Sequence, residues 1–180
     1  MPDTTFDLDL RPAELDDARK VADLESTLDS SEPSDPARRL HWWRMTDELE
    51  KGMRQIAERE GRAIAYTSAS HELWEPDEKR FGTIRLMLSH DIWNDGAYVH
   101  LASVAEGWLR SEGAAVAVAR IREDRTRELA AIQRLGYREN RRMRMSELDL
   151  TLNRDRLLAS RDECRRRMRE QGVRMLVLSD

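Results

Sequence analysis

Hydrophobic and polar positions change period several times along this chain. Phe6, Leu8 and Leu10 alternate with Asp7, Asp9 and Arg11, which predicts a half-buried strand ended by Pro12. Leu15, Ala18, Val21, Ala22, Leu24 and Leu28 then recur at helical spacing. The stretch Ser30 to Pro36 is too short for a domain boundary and reads as a helix connection. Asp35 before Pro36 is an N-cap and first-turn pair; it predicts a second helix through Leu40, Trp43 and Leu49, closed by Gly52. Three strands follow, Met53 to Glu58, Ala63 to Ser70 and Phe81 to Leu88. Glu60-Gly61 sits at the hairpin turn between the first two, and His71 to Arg80 is a polar loop containing Pro76.

Asn94-Asp95-Gly96 opens a helix whose apolar stripe is Ala97, Leu101, Val104, Ala105, Trp108 and Leu109, ending at Gly113. The run AAVAVARI, Ala114 to Ile121, predicts a strand covered on both faces. Arg125 to Leu135 is a short helix stopped by Gly136, and Tyr137 to Leu150 one long, mostly polar strand. Asn153 or Asp155 caps a last helix through Leu158, Cys164 and Met168 to Gly172, and Val173 to Asp180 is a final strand. This order describes an α/β (α+β) fold, a mixed, mostly antiparallel central sheet flanked by helices.

Composition narrows the function classes. The 180 residues carry 31 Lys and Arg against 35 Asp and Glu, a net charge of -4, which argues against nucleic acid as the main partner. Arginine dominates the basic residues, so the runs Arg138 to Arg144 and Arg165 to Arg169 read as solvated faces paired with nearby carboxylates. Apolar runs fall short of the ~20 residues a membrane span needs. The acidic start, MPDTTFDLDL, lacks an apolar signal core, so a cytoplasmic location is expected. Cys164 stands alone, and His71 and His100 lack ligand spacing, so neither a disulfide framework nor a metal site is predicted.

Two stretches carry candidate chemistry. Leu86 to Ala114 joins a strand to a helix through a polar turn, and Arg125 to Glu139 is a helix ending in Leu135-Gly136-Tyr137. With the strand between them, and in this element order, the chain resembles the GNAT superfamily of acyl-CoA-dependent N-acetyltransferases over roughly Phe6 to Leu150. The tail is similar to the end of the first half of tandem-domain GNAT proteins. The resemblance divides the chain into an acyl-CoA-binding domain, 1–150, and a C-terminal helix plus strand, 151–180. The second segment either belongs to the same domain or is an exchange or linker segment.

The resemblance implies acetyl-CoA as co-substrate, an amine acceptor and no metal. Its pyrophosphate would face the turn Trp93, Asn94, Asp95, Gly96, Ala97 and Tyr98, where amides at a helix N-terminus favour an anion. Gly96 matches the family pattern. Trp93 replaces a basic or amide residue, Tyr98 sets a ring where a phosphate should come close, and Asp95 could cap the helix and take the amides. A plain turn with an N-cap is the competing reading. Leu86, Met87 and Leu88 would hold the pantetheine arm through backbone groups. The family's tyrosine acid falls on Ile132 and its asparagine on Arg125, so no acid carries over.

Ser89 and His90 end the strand near the reacting acyl group. His90 is either a base, since histidine titrates near neutrality, or a surface turn residue. Trp42 and Trp43 lie where the acceptor pocket would be, one in the core and one at the rim; Tyr66 points to the core or to the acceptor. Two functions follow: acetyl transfer to a primary amine of a small molecule or protein, or a catalytically inactive binding or dimerisation module. The final strand is apolar on both faces, with Val173, Met175 and Val177 opposite Leu176 and Leu178. It must pair within its own sheet or with a second copy, and the second option predicts a homodimer.

Overall fold

The computed structural model describes residues 8–45, 50–74, 80–143 and 151–173. The chain divides into two units, Met1–Arg138 and Glu139–Asp180.

In the first unit the element order is β1 (Arg11–Pro12), α1 (Ala18–Leu28), α2 (Pro36–Arg44), β2 (Glu50–Arg59), β3 (Arg62–Glu72), β4 (Phe81–Leu88), α3 (Asp95–Ser111), β5 (Val116–Ala119) and α4 (Thr126–Arg134). The strands form one sheet in the order β1-β2-β3-β4-β5. The first four pair antiparallel, and β5 runs parallel to β4 after the crossover through α3. Glu60 (φ 53°) and Gly61 (φ 76°) turn the β2–β3 hairpin. Two successive left-handed residues match the twist of the flanking strands, and Gly61 takes its share without a Cβ penalty.

Alternate residues of β3 and β4 supply two apolar layers. Tyr66 and Met87 face Val21 and Leu24 of α1 and Trp43 of α2. Ala65, Ala69, Ile84 and Leu88 face Leu101, Ala105 and Leu109 of α3 and Ile132 of α4. Small residues on the second face let α3 lie close to the strands, and Thr67 Oγ1 donates to the Leu101 carbonyl at 3.2 Å.

Several sequence expectations need correction. β1 is only Arg11–Pro12, paired with Ile56 and Gln55, and it ends at Pro12 as expected. Pro12 stands on an edge, where its missing N–H disrupts no ladder. Leu8 is buried but outside the strand, and Phe6 lies outside the described residues. The second helix ends at Arg44 because Met45 turns extended (φ -75°, ψ 95°). Gly52 does not close it but sits inside β2 opposite Ser70. β3 continues through His71 and Glu72, shortening the loop assigned there. β5 is four residues long and half covered, with Val116 exposed; the run from Ala114 to Ile121 is not a doubly covered strand. No strand forms over Tyr137 to Met143, and residues 144–150 lie outside the described residues.

The second unit contains α5 (Arg154–Glu170), followed by Gly172 at φ 73°. Asn153 is its N-cap, though its side chain makes no capping hydrogen bond. Arg166 pairs with Glu163 and Glu170, and Arg167 with Glu163, in keeping with a solvated basic run. The predicted terminal strand from Arg174 onward, and with it the pairing expected of it, lies outside the described residues.

Candidate functional site

The parallel pair β4–β5 is incomplete. β5 pairs with Phe81 to Ile84 and then stops, while β4 continues to Leu88. Along Arg85 to Leu88 the ladder therefore has no β5 partner, and the backbone edge faces a gap. Met87 and Leu88 are buried on opposite faces, and Leu86 packs against the α3 layer.

Beyond Leu88, the Ser89 N–H donates to the Ile64 carbonyl at 2.8 Å. A turn of 3-10 helix, His90–Ile92, buries Ile92 and delivers the chain to α3. The cap of α3 is Asn94 and not Asp95. Asn94 is extended (φ -144°, ψ 134°), and its Oδ1 accepts from the Gly96 N–H at 2.7 Å and the Ala97 N–H at 3.2 Å. Asp95 is already helical. Its carboxylate accepts from Arg134 Nη2 at 2.6 Å and Trp93 Nε1 at 3.3 Å. The Arg134 bond, followed by that from Trp93, outweighs desolvation and holds the Asp95 carboxyl below its ordinary value.

Tyr98 does not stand in the anion's path. It belongs to the inward stripe of α3, is buried, and packs its ring 5.0 Å from that of Trp93. Burial pushes its hydroxyl far up; Glu128 adds to this and Arg125 opposes it. The Leu135-Gly136-Tyr137 signal also has a structural basis. Gly136 (φ 92°) ends α4, and Tyr137 donates from its hydroxyl to Glu106 of α3 at 2.8 Å. Ile132 is buried in the α3–α4 layer, so the position offers packing and no proton.

Ser89 and His90 part company. The Ser89 hydroxyl donates to Asp91, whereas His90 is exposed and lines a surface cavity of about 340 Å3. Leu28 and Asp29 from the end of α1 line the same cavity, with Arg122, Asp124, Arg125 and the first turn of α4 through Glu128. Asp29 accepts from Arg122 Nη1 at 2.5 Å and Arg125 Nη2 at 3.5 Å. Arg122 also grips Asp124, through Nε at 3.1 Å and Nη2 at 2.9 Å. A hydrogen bond from Ser31, then desolvation opposed by the field of Arg122, leaves the Asp29 carboxyl below its ordinary value. This charged cluster escaped sequence reasoning, since no periodicity joins Asp29 to Arg122.

The tryptophans divide as expected. Trp43 is buried, stacked on Tyr66 with centroids 6.0 Å apart and planes at 18°, with the Arg54 guanidinium 5.0 Å from its ring centre. Trp42 is exposed, its ring edge-on to His41 at 6.1 Å. Tyr66 thus belongs to the core, where desolvation raises its hydroxyl. Neither tryptophan nor Tyr66 lines the His90 cavity. Among the described residues no three His, Cys, Asp or Glu side chains are placed to hold a metal ion, and no helix is long and apolar enough to cross a membrane.

No protein-family model and no curated protein matches this sequence. Solved structures do match. An acetyltransferase from Trypanosoma brucei superposes with a TM-score of 0.62 at 18% identity, over 79% of this chain and 100% of that one. A ribosomal-protein-alanine N-acetyltransferase from Brucella melitensis gives 0.59 at 17% identity, over 78% and 99%. A transcriptional regulator from Bacillus halodurans gives 0.61 at 12% identity, over 77% and 98%. The chain has the fold of the GNAT acetyltransferases, and at these identities the likeness is one of fold.

Proposed function

We propose that the chain passes an acyl group from acetyl-CoA to a primary amine of a small molecule or protein. The observation that carries this reading is the unpaired half of β4. It presents backbone donors and acceptors in a gap between parallel strands, beside the start of a helix and a charged cavity, the usual place for a ligand in such a sheet. The pantetheine amides would bond along Arg85 to Leu88, and the diphosphate would face Gly96 and Ala97.

Those two amides already bond Asn94, so the fit depends on displacement. A cap of this kind contributes about 1 kcal/mol, and charge-assisted bonds from a diphosphate are roughly twice as strong as neutral ones. The Asp95–Arg134 pair is exposed and contributes little, which frees Arg134 to turn to the anion. Just past Leu88, His90 accepts a proton from the acceptor's ammonium. The freed amine then bonds the thioester carbonyl carbon, the C–S bond breaks, the departing thiolate is reprotonated from His90 through solvent, and the acylated nitrogen loses its second proton to solvent.

Calorimetric titration with acetyl-CoA tests this. Saturable heat is expected, with binding about fivefold tighter for Asn94→Ala, because the ~1 kcal/mol that the cap withholds is returned. Absence of heat at millimolar acetyl-CoA for both proteins sinks the proposal.

One set of contacts favours a second reading, a non-catalytic binding module. The α3 amides are held by Asn94, Asp95 is held by Arg134, and Ile132 offers no proton. That reading expects acetyl-CoA to bind only after Asn94→Ala is combined with Asp95→Ala.

A further inference from the structure

We propose that the cavity at the ends of β4 and β5 selects a zwitterionic acceptor of the free α-amino acid class. This deepens the acyl-transfer reading and rests on it. Of the nine residues lining the cavity only Leu28 is apolar. Three guanidinium groups, Arg122, Arg125 and Arg127, meet three carboxylates, Asp29, Asp124 and Glu128, with His90 beside them. Part of this charge is already matched. Arg122 is held between Asp29 and Asp124, and Arg125 leans on Asp29. The side chains of Arg127, Glu128 and His90 make no hydrogen bond or ion pair among the described residues, and Arg127 acts on the Asp95 carboxylate only through its field.

The remaining groups thus include one fixed cation and one fixed anion on successive residues of α4. A simple amine would satisfy Glu128 and leave Arg127 unmatched. A simple acid would do the reverse. A ligand bearing a carboxylate and an ammonium a few bonds apart satisfies both, with its carboxylate on the planar fork of Arg127. Its ammonium then lies between Glu128 and His90, where the proton must be lost. The volume, about 340 Å3, lies at the small end of the range for ligand pockets and suits a metabolite.

The test is thermal shift and calorimetry on the full chain, without acetyl-CoA, using the standard L-amino acids as probes. Each amino acid that binds is compared with its decarboxylated amine and its N-acetyl derivative. At least one amino acid is expected to bind at millimolar concentration, and its two derivatives are not. Arg127→Ala and Glu128→Gln are each expected to weaken that binding at least about tenfold, as loss of a hydrogen bond to a charged group predicts. Arg127 is exposed, so its variant should melt with the parent, which separates lost binding from lost fold. The inference is overturned if no amino acid binds, if the amine binds as well as its parent acid, or if Arg127→Ala changes nothing. Acetyl-CoA is absent throughout, so these outcomes are independent of the titration that tests acyl transfer.

Discussion

Gly82→Ala is expected to destabilise the protein by about 3 kcal/mol, the upper end of what overpacking costs. Gly82 lies in the first half of β4, between His71 of β3 and Ala117 of β5. A Cβ built on it falls 2.8 Å from Leu109 Cγ and closer still to both Cδ atoms. Leu109 is buried near the end of α3 and cannot swing out to water. Either the leucine leaves its rotamer or α3 lifts from the strand. Leu109→Ala alone should cost about 2–5 kcal/mol through the cavity it leaves. The double variant should cost at least about 1 kcal/mol less than the sum, because each change relieves the defect of the other. Urea denaturation of the four proteins measures this. Gly82→Ala within about 0.5 kcal/mol of the parent would show that α3 does not close on β4 here.

Elements fixed by local chemistry were legible in the sequence. Asp35-Pro36 starts α2, Glu60-Gly61 turns the hairpin, and Gly113 and Gly136 stop their helices. Elements decided by partners were not. Gly52 looked like a helix stop, yet pairing with β3 extends the strand through it; tertiary context overrides a weak local preference. AAVAVARI looked doubly buried, but four residues of it pair with β4, and only with the half that precedes the gap. The site shows the same division. That a cap sits at Asn94-Asp95-Gly96 could be read directly. Which residue caps could not, because both are good N-caps and only the extended backbone at 94 decides. The His90 cavity draws on the ends of α1, β4 and β5, far apart in the chain, so no spacing rule announces it. At Tyr98 the family pattern and the helical stripe disagree, and the stripe, on which it falls beside Ala97 and Leu101, decides its burial.

Asp17→Ala is expected to lower stability by about 2 kcal/mol and to flatten its loss in acid. The Asp17 carboxylate is buried between the turn before α1 and the sheet. It accepts from Arg11 Nη1 at 2.7 Å and Nη2 at 2.9 Å, from Lys20 Nζ at 3.1 Å, and from the Glu14 N–H at 3.0 Å. Glu58 of β2 completes the cluster, accepting from Lys20 at 2.7 Å and from Arg11. The cluster thereby joins β1, α1 and β2. Which partner is removed decides the cost. Side-chain exposure is 5% for Asp17, against 44% for Arg11 and 35% for Lys20. Without Asp17 both cations still reach water, so no uncompensated buried charge remains and the loss stays below the ~3–5 kcal/mol of a stranded ion. The Arg11 hydrogen bond is the main cause that outweighs desolvation and holds the Asp17 carboxyl well below the usual carboxylate range; Lys20 does the same for Glu58. Folded carboxyls depressed in this way bind fewer protons than unfolded ones, so stability rises with pH wherever the unfolded chain is protonated. Their contribution is full above about pH 5 and is lost as pH falls below the unfolded value of ~4 toward the folded one. Unfolding free energy followed from neutral pH down into acid should drop less steeply for Asp17→Ala than for the parent. Parallel curves would mean that the cluster does not govern acid stability.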